Sequence, residues 1–135
     1  MAWDFETDPE FQEKLDWMDG FVRKKVEPLG LLGIHPYDVK NPRRNKLVRP
    51  LQEEVKARGL WACHLGPELG GQGYGQVKLG LMNEILGGAS FAPIVFGCQA
   101  PDTGNAEIIA HYGTPEQKTR YLQPLLENEI VSAFS

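Results

Sequence analysis

The sequence predicts an all-α domain: about five helices in an orthogonal or up-down arrangement, closed by a C-terminal stub of β-strand. Three observations predict it. Every sustained apolar pattern between residues 9 and 126 repeats near the helical period of about 3.6 residues. Helix-opening pairs recur at Asp8-Pro9 and Thr114-Pro115, each a capping side chain followed by proline. Only the last residues, IVSAFS from Ile130, turn β-branched and aromatic.

Asp8, Pro9 and Glu10 supply an N-cap, a first-turn proline and a favourable negative charge, and Phe11, Leu15, Met18, Val22 and Val26 follow at helical spacing. They predict an amphipathic helix over residues 9–27, with Arg23, Lys24 and Lys25 suiting its C-terminal dipole and Pro28 ending it. Residues 28–46 carry Pro28, Pro36, Pro42, Gly30 and Gly33 without a sustained period, so they predict a long connection holding at most a short helical turn. Leu47, Leu51 and Val55 repeat up to ARGL, where Gly59 reads as the glycine that closes a second helix. Leu60–Leu65 reads as a short extended stretch. Val77, Leu81, Met82, Ile85 and Leu86 then share the apolar face of a third helix. Gly80 inside it costs about 1 kcal/mol relative to alanine, which predicts a close neighbour. Asp102 or Thr103 can cap a fourth helix that turns Ala106, Ile109, Ala110 and Tyr112 inward before Gly113 stops it. The capping box Thr114–Gln117 opens a fifth, running through Tyr121, Leu122, Leu125 and Leu126. Residues 1–129 are thus read as one helical domain. Residues 130–135 are read as the first strand of a β-domain that the sequence does not contain, since no other segment offers a partner strand.

At 135 residues and 41% apolar composition the chain has the size of one globular domain. No apolar run approaches the roughly 18–20 residues that span a bilayer, and the acidic MAWDFETDPEF lacks the pattern of a signal peptide. The expected location is cytoplasmic, with mitochondrial or peroxisomal placement left open. A formal charge of −4, with the bases scattered outside RKK and KNPRRNK, argues against nucleic acid as a partner. Cys63 and Cys98 are too far apart for a CxxC motif and are expected as reduced, buried thiols. His35, His64 and His111 have no metal-site spacing, so no metal is expected. Ser90, Ser132 and Ser135 lack a nucleophile elbow. Glu68, Glu84 and Glu107 are acid or base candidates only as carboxylates, and Glu84 is expected in a partly buried ion pair. The stretch HLGPELGGQGYGQ fails the dinucleotide fingerprint, which would need glycine at Gln76, and contains no Walker loop. It reads as a tight helix connection.

Three blocks carry a resemblance to a known family: PELGGQGYG (Pro67–Gly75), the helix ending MNEILGGAS, and GTPEQKTRYLQPLLENEIVSAFS. In this order they closely resemble the N-terminal helical domain of flavin-dependent acyl-CoA dehydrogenases, over nearly the whole chain. CQAPDTGNAEI (Cys98–Ile108) is most similar to a subgroup that includes large members fused to a kinase-like domain. The resemblance implies a helical domain followed by a middle β-domain and a C-terminal four-helix bundle. FAD would lie between the last two and across a subunit interface of a homo-oligomer. The implied reaction removes the pro-R α-proton of an acyl-CoA thioester with a glutamate base and passes a β-hydride to flavin N5. Electrons then go to electron-transfer flavoprotein. Because that base belongs to the C-terminal bundle, no catalytic residue is carried over onto this chain.

Six positions match the family's binding surfaces. Gly97, Ala100, Pro101 and Gly104 fall where members line the acyl tunnel, and their small size implies room for a long or branched acyl group. Phe134 and Ser135 fall where the chain approaches flavin and thioester; beyond them the family continues into a T-E-P segment that holds the flavin ring. Ordinary packing is the alternative for all six. By itself the chain is expected to be inactive, to retain no FAD, and to be marginally stable or self-associating through faces that the family buries. The other reading is a non-catalytic helical module that binds a dehydrogenase-like partner.

Overall fold

In the computed structural model, which describes residues 6–69 and 71–135, the first helix, α1 (Pro9–Phe21), opens as expected. Asp8 Oδ1 accepts the Phe11 amide at 2.9 Å, and Phe11, Leu15, Met18 and Phe21 are buried. The helical path runs on through a π-turn, Val22–Val26, which buries both valines. Pro28 does not stop the turning. It sits near the start of a 3-10 turn, Glu27–Leu32, where its missing N–H costs nothing, and the chain breaks only at Gly33, with φ +63.

The second helix, α2 (Pro42–Ala57), begins at Pro42 rather than at Leu47, so the long connection ends at Asn41. Asn41 Oδ1 caps it, accepting from the amides of Arg43 at 3.0 Å and Arg44 at 3.2 Å. Its end is as expected: Gly59 has φ +66, and the Leu60 amide returns to the Val55 carbonyl at 3.1 Å. The extended stretch expected at Leu60–Leu65 is instead a turn. Ala62 adopts φ +50, its amide donates to the Phe96 carbonyl at 3.0 Å, and the Leu65 amide donates to the Ala62 carbonyl at 3.0 Å. A tertiary bond to a distant segment overrides the local composition.

The glycine stretch folds back on this turn. Pro67–Leu69 form a 3-10 turn, the Gly71 amide reaches the Gly66 carbonyl at 2.9 Å, and the Gly73 amide reaches the Leu65 carbonyl at 3.2 Å. A Cβ on Gly71 would overlap the Leu65 carbonyl. Tyr74 then anchors the loop, donating its hydroxyl to the Gly59 carbonyl at 2.6 Å and resting on the Phe11 ring.

The third helix, α3 (Gln76–Leu86), buries Met82 and Leu86, but Val77 is 80% exposed and lies off the expected apolar face. Gly80 is exposed too, with nothing within 4 Å of where its Cβ would be, so the expected close neighbour does not exist. Glu84 is likewise exposed and forms no ion pair among the described residues. A short helix that periodicity could not reveal, α4 (Ala92–Val95), is buried with Phe91 and Phe96 around it.

The fourth expected helix is α5 (Asp102–Tyr112), which buries Ala106 and Ala110; Tyr112, expected inward, is 85% exposed. The capping box is complete: Thr114 and Gln117 exchange both bonds. The helix it opens is divided into α6 (Pro115–Gln117), a π-turn (Lys118–Leu122) and α7 (Gln123–Leu126). No strand occurs among the described residues, and the β-stub expected at residues 130–135 is not seen within this chain. A strand needs a ladder partner, and these residues meet a side chain instead.

The main core joins α1 and its π-turn to α2, α3 and the segment from Phe91 to Phe96. The pieces α5–α7 pack on one another through Ala106, Ala110 and Leu125. Arg44, only 1% exposed, joins the parts. Its guanidinium donates to the Pro36 carbonyl at 2.9 Å, Asn45 Oδ1 at 2.9 Å and Asn128 Oδ1 at 2.7 Å. Gln52 Nε2 donates to the same Asn128 oxygen at 3.1 Å and to the Ile94 carbonyl at 3.1 Å.

Two stability outcomes are expected. Arg44→Met should lower unfolding free energy by about 2–3 kcal/mol in a denaturant titration, because buried acceptors lose their donor, and Arg44→Lys should not restore it. Gly71→Val should destabilise by more than about 2 kcal/mol, since the loop cannot hold a side chain against Leu65; an unaltered melting temperature would contradict this packing.

Candidate functional site

The corner between α4 and α5 holds the four small residues that the sequence assigns to an acyl pocket, and the structure gives them different surroundings. Gly97 has φ +66 and faces Trp61, whose ring a Cβ would approach to 2.7 Å, so packing alone requires glycine there. Ala100 is exposed, and its carbonyl accepts from the Tyr37 hydroxyl at 3.1 Å. Pro101, joined to it by a cis peptide, is half-buried and precedes α5. Gly104 lines a cavity of about 340 Å³ with His64, Gln76, Asn83, Cys98 and Glu107.

Asp102, between these positions, is 4% exposed and does not cap its helix. Its Oδ1 accepts from Ser132 twice, from the amide at 2.7 Å and from the hydroxyl at 2.6 Å. Its Oδ2 accepts from Gln99 Nε2 at 2.8 Å, and Asn105 Nδ2 donates to the Ser132 hydroxyl at 2.8 Å. The segment that carries Phe134 and Ser135 is thereby held against the start of α5. Phe134 is 72% exposed, and its ring edge lies 4.0 Å from where a Gly104 Cβ would be. Ser135 is exposed.

The cavity also gathers groups that sequence spacing does not join. Both ring nitrogens of His64 are buried and have no hydrogen-bond partner among the described residues. Burial pushes its pKa down, against the opposing pull of Glu107. Cys98 lies beside Cys63, and this interaction, with burial, raises the Cys98 thiol well above its ordinary value while that of Cys63 is lowered. Both cysteines are free thiols, Cys63 buried and Cys98 half-buried. The turn at Ala62 and its bond to Phe96 bring the two segments side by side, a tertiary fact with no local sequence signal. Among the described residues no group of three or more His, Cys, Asp or Glu side chains could hold a metal ion.

His64 gives the domain a definite pH response. Its folded pKa lies below the ordinary 6.5, so as pH falls through that value the unfolded chain takes up a proton that the folded chain refuses. Stability should therefore decline below pH 6.5 and level off once the folded form titrates. Melting temperatures between about pH 7.5 and about pH 5.5 should fall less for His64→Gln than for the unaltered chain; parallel curves would contradict this.

The family model for the N-terminal domain of acyl-CoA dehydrogenases matches residues 8–129. Acyl-CoA dehydrogenase family member 10 of Mus musculus is 40% identical across 85% of this chain. Acyl-CoA dehydrogenase family member 11 of Pongo abelii is 48% identical across 65% of it. The chain spans only 11% of the length of each. The solved structure of an acyl-CoA dehydrogenase from Mycobacterium abscessus superimposes with a TM-score of 0.74 at 31% identity, over 93% of this chain and 33% of its own. No helix among the described residues is long and apolar enough to cross a membrane. With capped first helix, glycine loop, Thr114 capping box and matched residues in one frame, the chain belongs to the acyl-CoA dehydrogenase family, as its helical N-terminal domain.

Proposed function

We propose that this domain serves the FAD-dependent α,β-dehydrogenation of acyl-CoA thioesters, walling one side of the acyl pocket and meeting the near edge of the flavin. One observation carries the reading. The Asp102–Ser132 bonds fasten the stretch assigned to the acyl chain, Gly97–Gly104, beside the stretch assigned to the flavin, Phe134–Ser135. Small side chains at Ala100, Pro101 and Gly104 leave volume for a long or branched acyl group, whereas Gly97 acts through its packing on Trp61.

The residues present fit one edge of a flavin. Phe134 offers an exposed ring that lies next to Gly104 of α5, and Ser135 an exposed hydroxyl. When bound, FAD supplies the hydride acceptor. What this chain contributes is orientation and exclusion of water: Phe134 can cover the reacting end of the substrate while the α4–α5 corner receives its tail. The α-proton base, most of the flavin site and the surface that passes electrons to electron-transfer flavoprotein belong to the further domains of a homo-oligomeric enzyme. The chain alone would then be inactive.

The test is turnover by the full-length protein across a series of acyl-CoA thioesters. Long or branched thioesters should be preferred over butyryl-CoA. Gly104→Leu should lower kcat/KM for the long substrates by about tenfold or more while sparing butyryl-CoA. A wild-type preference for butyryl-CoA would overturn the roomy pocket. Failure to bind FAD would overturn the dehydrogenase reading in favour of a binding module.

A further inference from the structure

We infer that Asp102 is a positioning residue for the flavin-facing segment, holding residues 132–135 against α5 through Ser132. The inference rests on the dehydrogenase reading. An aspartate in the first turn of a helix ordinarily caps it or faces water. Asp102 does neither: α5 has no side-chain cap, and the carboxylate is buried. Burying such a group is costly unless donors surround it, and no lysine, arginine or histidine pairs with it among the described residues. Its donors are the Ser132 amide, the Ser132 hydroxyl and the Gln99 amide, at 2.6 to 2.8 Å, the short range of bonds to a charged acceptor.

The other side of the contact is equally specific. The last backbone bond before the segment runs from the Ile130 amide to the Pro124 carbonyl at 3.4 Å. Beyond it, Ser132 makes the only hydrogen bonds of residues 131–135 among the described residues, to Asp102 and Asn105. Within this chain the segment is fastened at Ser132, chiefly by the Asp102 side chain. Phe134 follows two residues later and Ser135 three, so a shift at Ser132 moves both. Gln99 provides a built-in control, because its Oε1 is buried without a partner. In Asp102→Asn the side-chain oxygen can still receive both Ser132 bonds, and a rotated Gln99 amide can turn Oε1 toward the new N–H.

The experiment compares Asp102→Leu, Asp102→Asn and Ser132→Ala in the full-length protein, reading the hydrogen exchange of the Ser132 amide, the FAD dissociation constant and the flavin absorption spectrum. Asp102→Leu should speed Ser132 exchange by about tenfold or more, weaken FAD by a similar factor and shift the spectrum. Asp102→Asn should restore most of both, and Ser132→Ala, which keeps the amide bond, should lie between. Should Asp102→Leu not fold, Ser132→Ala decides: exchange and FAD affinity must move together. If Ser132 exchanges faster while FAD affinity and spectrum stay at wild-type values, the positioning role is refuted and the dehydrogenase reading survives. If the unaltered protein binds no FAD, the dehydrogenase reading itself fails and takes the inference with it.

Discussion

A guanidinium sealed from water among neutral oxygens is the constraint on which the rest of this domain depends. Arg44 projects from the first turn of α2 and hydrogen-bonds no carboxylate among the described residues; its acceptors are a carbonyl of the preceding connection and the amide oxygens of Asn45 and Asn128. Burial, with Arg49 nearby, lowers its pKa to about 10, which still leaves a cation at neutral pH. A buried cation tolerates little displacement of its partners, since any acceptor that leaves exposes the desolvation cost. Asn128 is therefore fixed in the left-handed conformation it adopts, φ +54, two residues after the end of α7. Gln52 reinforces it and adds the carbonyl of Ile94, so one amide oxygen couples α2 to the end of α7 while its donor also holds α4.

From that node the chain has only a short path to Ser132, where Asp102 takes hold of it. The two polar fastenings act in series. Arg44 decides where the last helix ends, and Asp102 decides where the following residues lie relative to α5. Apolar burial could not do this alone, because α5–α7 share only Ala106, Ala110 and Leu125 as buried apolar side chains. Six of the nine large apolar side chains most exposed among the described residues, from Ile108 to Phe134, lie in α5–α7 and the residues that follow. A face so poor in internal burial keeps its shape through directional bonds.

What the sequence made legible follows from how local each cause is. Asp8, Gly59 and the Thr114–Gln117 box act within one turn of the backbone, and the structure places each as read. Asn41-Pro42 carries the same kind of signal, but the prolines around it masked the start of α2. Ala62 turns because of Phe96, and Val77 and Tyr112 stand exposed at the first turn of α3 and the last residue of α5; neither outcome follows from a helical period. Gly80 shows the converse, a glycine without a packing reason. At the site, the glycine loop was visible as composition and the α4–α5 corner only through the family resemblance. The Asp102–Ser132 contact, the Cys63–Cys98 pair and the unpartnered His64 were not, because each depends on segments brought together by the core.

Magnitudes show how far the Asp102 fastening reaches. Ordering residues 131–135 costs roughly 1–2 kcal/mol of backbone entropy per residue, so about 5–10 kcal/mol for the segment. Two bonds from Ser132 to a charged acceptor return about 1.5–3 kcal/mol each, together about 3–6 kcal/mol. The gain is enough to fix Ser132 itself and falls short of ordering everything after it. The contact of Phe134 with α5 at Gly104 adds little while its ring stays exposed. The remainder has to come from whatever covers that ring, so the domain sets the origin of the segment and its covering sets the final orientation.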